Sequence, residues 1–145
     1  MLSQTSRYAL RAAYCIAHLR EESPIQAREV ARMTHIPANY LHKILHDLVR
    51  HGILESSRGV GGGFRLKRPK ERITLRELID PFEDTQERTG CPFGNLHCGA
   101  GNPCPVHDQW AEILTRYEGF LGNTTLADLA EKPSWDYSEE AVRAS

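Results

Sequence analysis

Three cysteines and a histidine stand near one another in the second half of the chain: Cys91, Cys98, Cys104 and His107. Thiolates are soft donors that suit zinc and iron–sulfur clusters, and imidazole can complete either set. His107 follows Cys104 at Cys-x-x-His spacing, and six and five residues separate the cysteines. Structural zinc more often uses the tighter knuckle, with about two to four residues between cysteines. The wide gaps lean toward a bulky cluster, and imidazole ligation raises the potential of such a cluster relative to thiolate. On the residues alone, a structural zinc and a metal-free set of redox thiols stay open. So does a capping or surface role for His107, and His97 beside Cys98 competes for the fourth position.

The surrounding segment supports a ligand-organised loop. Residues 84–104 include Gly90, Pro92, Gly94, Gly99, Gly101 and Pro103 but few side chains that build a core. No stretch has the roughly 18 apolar residues of a membrane span, and the N-terminus lacks the apolar run of a secretion signal. A cytoplasmic protein is expected. Thiols stay reduced there, which favours metal or redox chemistry over disulfides. Cys15 is different: it lies in an apolar helical stripe and reads as a small core residue. His18, His35, His46 and His51 read as surface or packing residues.

The elements that must position this loop are mostly helical. Ser6 is placed to cap a first helix to about Arg20, with Tyr8, Ala12, Cys15, Ile16 and Leu19 on one stripe. Ile25 to Met33 reads as a second helix, and His35-Ile36-Pro37 as a turn. Pro37 suits the first turn of a third helix. Leu41, Ile44, Leu45 and Leu48 form the apolar stripe of that helix, and Gly52 its stop. Two short strands around Gly59-Val60-Gly61-Gly62-Gly63 then make a hairpin. Thr74 with Glu77 is a capping-box signature. Beyond the cysteines, Trp110, Ile113, Leu114, Tyr117, Phe120 and Leu121 mark a longer helix that Gly122 should end. Thr125 and Asp128 start a short helix closed by Pro133. The expected fold is mostly α with a small β-hairpin: a winged helix-turn-helix followed by a long C-terminal helix. The expected divisions are 1–83, the winged domain; 84–107, the cysteine loop; 108–132, the long helix and its successor; and 133–145, a loose tail.

Charge separates the halves. Residues 1–70 carry 12 basic and 5 acidic side chains, and residues 71–145 carry 6 and 14. The halves are therefore +7 and −8, hidden inside a net charge of −1. A basic half with this element order suits double-stranded DNA. Asn39, His42 and Lys43, early on the third helix, are candidates for base edges, and Arg50 for phosphate. On the hairpin, Arg58 and Arg65 flank a tip where Gly59 and Gly61 let backbone approach DNA; an arginine there suits a narrow minor groove. The glycine run does not match a phosphate-binding loop, since no Gly-Lys-Ser/Thr or helix follows it. An electron carrier leaves the wing and the basic half without a role. No Ser/His/Asp or Cys/His pairing calls for an enzyme.

Taken together, these segments resemble the Rrf-type winged helix-turn-helix regulators, the IscR-like and NsrR-like iron–sulfur proteins. The resemblance rests on Leu2-Ser3 with Arg7-Tyr8-Ala9-Leu10-Arg11-Ala12; on Tyr40-Leu41; on Arg58 to Leu66 through the glycines; on the three cysteines; and on Phe120-Leu121 with Thr124 to Leu129. It covers roughly residues 1–132. It implies a homodimer in which the stripe Trp110–Leu121 crosses a partner copy. It also implies Cys91, Cys98 and Cys104 as cluster ligands. His107 matches the histidine of the IscR-like pattern, which implies [2Fe-2S]. The NsrR-like pattern uses an aspartate of the first helix for [4Fe-4S]; Arg7 stands here and cannot ligate. Two departures are visible: the first cysteine gap is six residues rather than five, and His42 replaces an acidic residue after Tyr-Leu. A regulator, expected to act as a repressor, whose DNA binding follows cluster or redox state is the implied function.

Overall fold

The computed structural model describes residues 2–19, 23–84, 89–99 and 101–131. The helices are α1 (Gln4–Leu19), α2 (Ala27–Thr34), α3 (Ala38–Arg50), α4 (Leu75–Ile79), α5 (His107–Asn123) and α6 (Leu126–Ala130). Two strands, β1 (Leu54–Ser57) and β2 (Gly63–Leu66), stand between α3 and α4. Pro133 and the expected tail lie outside the described residues.

Helix α1 is the hub of the core. Ala9, Ala12, Ala13 and Ile16 are wholly buried, and Tyr14, Cys15 and Ala17 nearly so. Burial therefore runs around the helix and exceeds the expected stripe. The alanines explain this, because side chains with no bulk let α2, α3, α4 and α6 all pack on one helix. Leu19, expected in the stripe, is exposed. Ser6 is also not the cap: it is fully buried, and its N–H donates to Ser3 Oγ at 3.1 Å. The Ser3 N–H in turn donates to Glu83 Oε1 at 2.7 Å, tying the start of α1 to the approach to the cysteine loop.

Helices α2 and α3 meet at a tight turn. His35 takes left-handed backbone (φ 54), and the Pro37 carbonyl accepts from the N–H groups of Tyr40 and Leu41. Leu41, Ile44, Leu45 and Leu48 are buried as their spacing requires. The second helix starts two residues later than expected. Ile25 instead forms a bridge with Phe64, each N–H donating to the other carbonyl at 2.9 Å. Gly63 makes this approach feasible: a Cβ there would stand 2.4 Å from the Ile25 carbonyl oxygen. The hairpin is antiparallel, with Leu54 opposite Leu66 and Ser57 opposite Gly63. His46 meets Phe64 edge-on, which joins α3 to the wing.

The C-terminal helices are anchored to this domain. Thr74 and Thr125 bridge, Leu75 N–H donates to the Thr124 carbonyl, and Leu126 N–H donates to that of Ile73. Each threonine also caps its helix in a reciprocal box, Thr74 with Glu77 and Thr125 with Asp128. Gly122 does not end α5, which continues to Asn123. Its lack of a side chain leaves room for the Arg76 guanidinium, which a Cβ would approach to 3.4 Å.

Candidate functional site

The cysteine loop closes on the N-terminus of α5. Cys91, Cys98 and Cys104 have their sulfurs within 4.8 Å of one another. Cys91 and Cys104 Sγ are 3.6 Å apart, and the Cys104 N–H donates to Cys98 Sγ at 3.4 Å. His107 is the first residue of α5, and its N–H donates to the Cys104 carbonyl at 3.0 Å. Its Nδ1 lies 3.2 Å from Cys98 Sγ. The three sulfurs therefore converge and His107 reaches them at Cys98, while His97 is exposed. Tight turns make the convergence: Gly94 N–H donates to the Cys91 carbonyl, and Cys98 N–H to that of Asn95. Trp110 Nε1 holds the Gly90 carbonyl at 2.9 Å, fastening the loop to α5.

The thiols are not equivalent. Partial burial pushes Cys91 upward, but the N–H groups of Asn95 and Phe93, with Cys104 and Cys98 beside it, hold it below the ordinary thiol range. Burial raises Cys104, and the neighbouring sulfurs of Cys98 and Cys91 raise it further against the Val106 N–H. A cavity of about 830 Å³ opens between the loop and α5, with Cys91, Cys98, His107 and Trp110 in its wall. Three thiols and an imidazole beside open space fit the donor demand of an iron–sulfur cluster, and also that of zinc.

A second surface lies on α3 and the wing. Asn39, His42 and Lys43 are exposed, opposite the buried stripe. Arg50 is exposed and paired with Asp47; Arg65 is exposed and paired with Glu55. Arg58, Gly59 and Gly61 are exposed on the wing, where Val60 projects fully into solvent. Tyr40, read from the sequence only as part of the Tyr-Leu pair of the third helix, meets Thr5 Oγ1 through its hydroxyl at 2.8 Å and Tyr8 edge-on through its ring. The Tyr-Leu pair marked its position, but only the fold brings α1 beside it.

The long helix divides its stripe. Ile113 and Phe120 are 55% and 54% exposed, and Trp110, Leu114 and Tyr117 are half-buried. Leu121, expected with them at a dimer contact, is 1% exposed in the single chain and belongs to its own core. Arg76, a residue that sequence reasoning missed, clamps this helix to α4. Its guanidinium reaches the Glu118 carbonyl at 2.6 Å and the Glu118 carboxylate at 2.7 Å. Among the described residues, no helix is long and apolar enough to cross a membrane.

A helix-turn-helix followed by a hairpin wing defines the class of DNA-binding transcription regulators. The family model for Rrf2, iron-dependent transcriptional regulator, matches residues 2–132, and the chain belongs to that family. It is 34% identical over 131 residues to an HTH-type transcriptional regulator of Aquifex aeolicus (strain VF5), covering 89% of this chain and 90% of that one. It is 30% identical over 128 residues to the HTH-type transcriptional regulator IscR of Serratia proteamaculans (strain 568), covering 88% and 77%. Among solved structures, CymR, the global cysteine regulator of B. subtilis, superposes with a TM-score of 0.77 at 24% identity, covering 92% of this chain and 98% of that one. T. potens IscR gives 0.72 at 21% identity, with 93% of each chain covered. The protein is thus a DNA-binding transcription regulator and not an enzyme. The winged, mostly helical fold is the one expected from sequence.

Proposed function

We propose that this regulator senses cluster, redox or nitric-oxide status through an iron–sulfur cluster held by Cys91, Cys98, Cys104 and His107, with [2Fe-2S] favoured over [4Fe-4S]. The observation that carries the reading is the convergence of three sulfurs within 4.8 Å, with His107 Nδ1 3.2 Å from Cys98, at the start of α5. Four donors give two per iron in a two-iron cluster. Arg7 is an exposed residue of α1 and offers no carboxylate to a larger one. When bound, the cluster supplies a centre that changes with electrons, oxygen, nitric oxide or iron supply.

The chain's own residues supply the coupling. The loop is fastened to α5 by the Trp110–Gly90 bond, and α5 is clamped to α4 by Arg76 and Glu118. Ordering or relaxing the loop shifts the pose of α5 and so the DNA-competent population. In a cytoplasmic homodimer, Ile113 and Phe120, with Trp110, Leu114 and Tyr117, face a second copy across α5. Two α3 helices then read half-sites about one turn apart or a multiple, near 34 Å per turn. Asn39, His42 and Lys43 meet base edges, Arg50 meets phosphate, and Arg58, Gly59, Gly61 and Arg65 form the wing contact, most simply in a repressor.

The same donors also suit a second reading, a structural zinc. The 3.6 Å separation of Cys91 and Cys104 sulfurs is near the roughly 3.8 Å of two thiolates on one tetrahedral metal, zinc as well as iron. In that case the DNA-binding half is unchanged and the loop is structural. Promoter fragments captured by the protein, titrated with cluster-loaded and cluster-free forms, distinguish the readings. The sensor reading predicts that Cys98→Ala equalises the two affinities. Sensitivity in Cys98→Ala equal to that of the unaltered protein contradicts it.

A further inference from the structure

The donors do not account for how His107 is aimed. Its backbone is fixed by the first turn of α5, and its Nδ1 lies beside Cys98 Sγ. The Cε1–Nε2 edge of the ring lies against Gly99. A Cβ at Gly99 would stand 2.9 Å from His107 Cε1, 3.3 Å from Nε2 and 3.8 Å from Nδ1. The first of these is a distance that real Cβ atoms essentially never show. Gly99 also holds φ at +95, where an L side chain is strained. The residue after Cys98 is therefore bare for two reasons, and one of them is the imidazole itself.

We infer that Gly99 is a positioning residue for His107: its missing side chain is the space that lets the imidazole face the Cys98 sulfur and join the donor set. This inference rests on the proposed cluster. Gly101 offers an internal control. It has a similar φ of +85, but a Cβ there would meet nothing within 4 Å. Alanine at 99 combines backbone strain with collision against the ring, whereas alanine at 101 carries the strain alone.

The test uses full-length protein, purified anaerobically with its cluster, reduced, and probed for hyperfine coupling to histidine nitrogen by pulsed electron paramagnetic resonance. The unaltered protein should show a coupling that His107→Ala lacks. Gly99→Ala should lose that coupling and shift the cluster midpoint potential in the same direction as His107→Ala. Gly101→Ala should keep both unchanged. If Gly99→Ala assembles no cluster, Gly99→Asn carries the same Cβ with a side chain that tolerates positive φ better, and the same loss is expected. Retention of the coupling in Gly99→Ala or Gly99→Asn overturns the role of Gly99 and leaves His107 as a ligand. Equal loss in Gly101→Ala overturns it too, because strain alone then suffices. A histidine coupling absent from the unaltered protein removes both this inference and the ligand role of His107.

Discussion

Cys15 and the loop cysteines occupy opposite environments, and their reactivity should follow. Burial in α1, with Glu29 nearby, pushes the Cys15 thiol up to about 11. It is 3% exposed, so at pH 8 it is both protonated and shielded. Iodoacetamide on the folded, metal-free protein should label Cys91, Cys98 and Cys104 and leave Cys15 unmodified until denaturant is added. Peptide mass spectrometry checks this, and labelling of Cys15 in folded protein would contradict its core role. At this scale the sequence is most legible where chemistry dictates residue type. Thiol ligands must be cysteine, so the loop announced itself, and Cys15 was separable because it sat in a helical apolar stripe. Gly99 and Arg76 were not legible, since their roles depend on atoms distant along the chain.

Elements show a similar split. The reciprocal caps at Thr74 and Thr125 were readable, because a hydroxyl with an acidic residue three positions on is local chemistry. Ser6 and Gly122 misled for one shared reason: each residue type has an end-of-helix role, but tertiary contacts gave it another. Ser6 fills the crowded first turn of α1, and Gly122 makes way for Arg76. The caps carry a pH signature. Glu77 is raised by partial burial, but the Thr74 N–H and Arg68, with the Thr74 hydroxyl, lower it further, to a net value below the ordinary carboxylate range. Asp128 is lowered by the Thr125 N–H and hydroxyl. Both folded values lie below the unfolded ones, near about 4. Their stabilisation is therefore present above that pH and is lost as pH falls through the folded values. Thermal melts should weaken below about pH 4, and Thr125→Ala should weaken less steeply on acidification. At neutral pH, Thr74→Ala should cost about 1 kcal/mol, read from urea unfolding. An unchanged midpoint would contradict the cap. Arg76→Met should leave the winged domain folded while narrowing the difference in DNA affinity between cluster-loaded and cluster-free protein. An undiminished difference would remove the clamp from the coupling route.

For the whole molecule, the charge division and the bare face of α5 belong to one arrangement. The basic half carries α3 and the wing, and the acidic half carries the loop and α5; in the proposed arrangement this charge division would keep the loop off the phosphates. Ile113 and Phe120 lie exposed on that helix, where a second copy would cover them. Phe120→Glu should convert a dimer to a monomer by light scattering and weaken operator binding by more than tenfold, since two half-sites are then no longer read together. A dimer that survives this change would place the interface elsewhere. The overall architecture was legible because helix, turn, helix and hairpin are each encoded locally, in order. The assignment of Leu121 was not, because helical spacing alone cannot separate a face covered by the same chain from one left for another.

The proposed iron–sulfur cluster of the cysteine loop is tested by purifying the protein without oxygen, recording its visible spectrum, and assaying iron, sulfide and zinc in the same sample. The expected result is a coloured protein with visible charge-transfer bands, equal iron and sulfide, about two of each per chain for the two-iron form, and negligible zinc. A colourless protein with one zinc per chain, unchanged by attempted reconstitution with iron and sulfide, would contradict it.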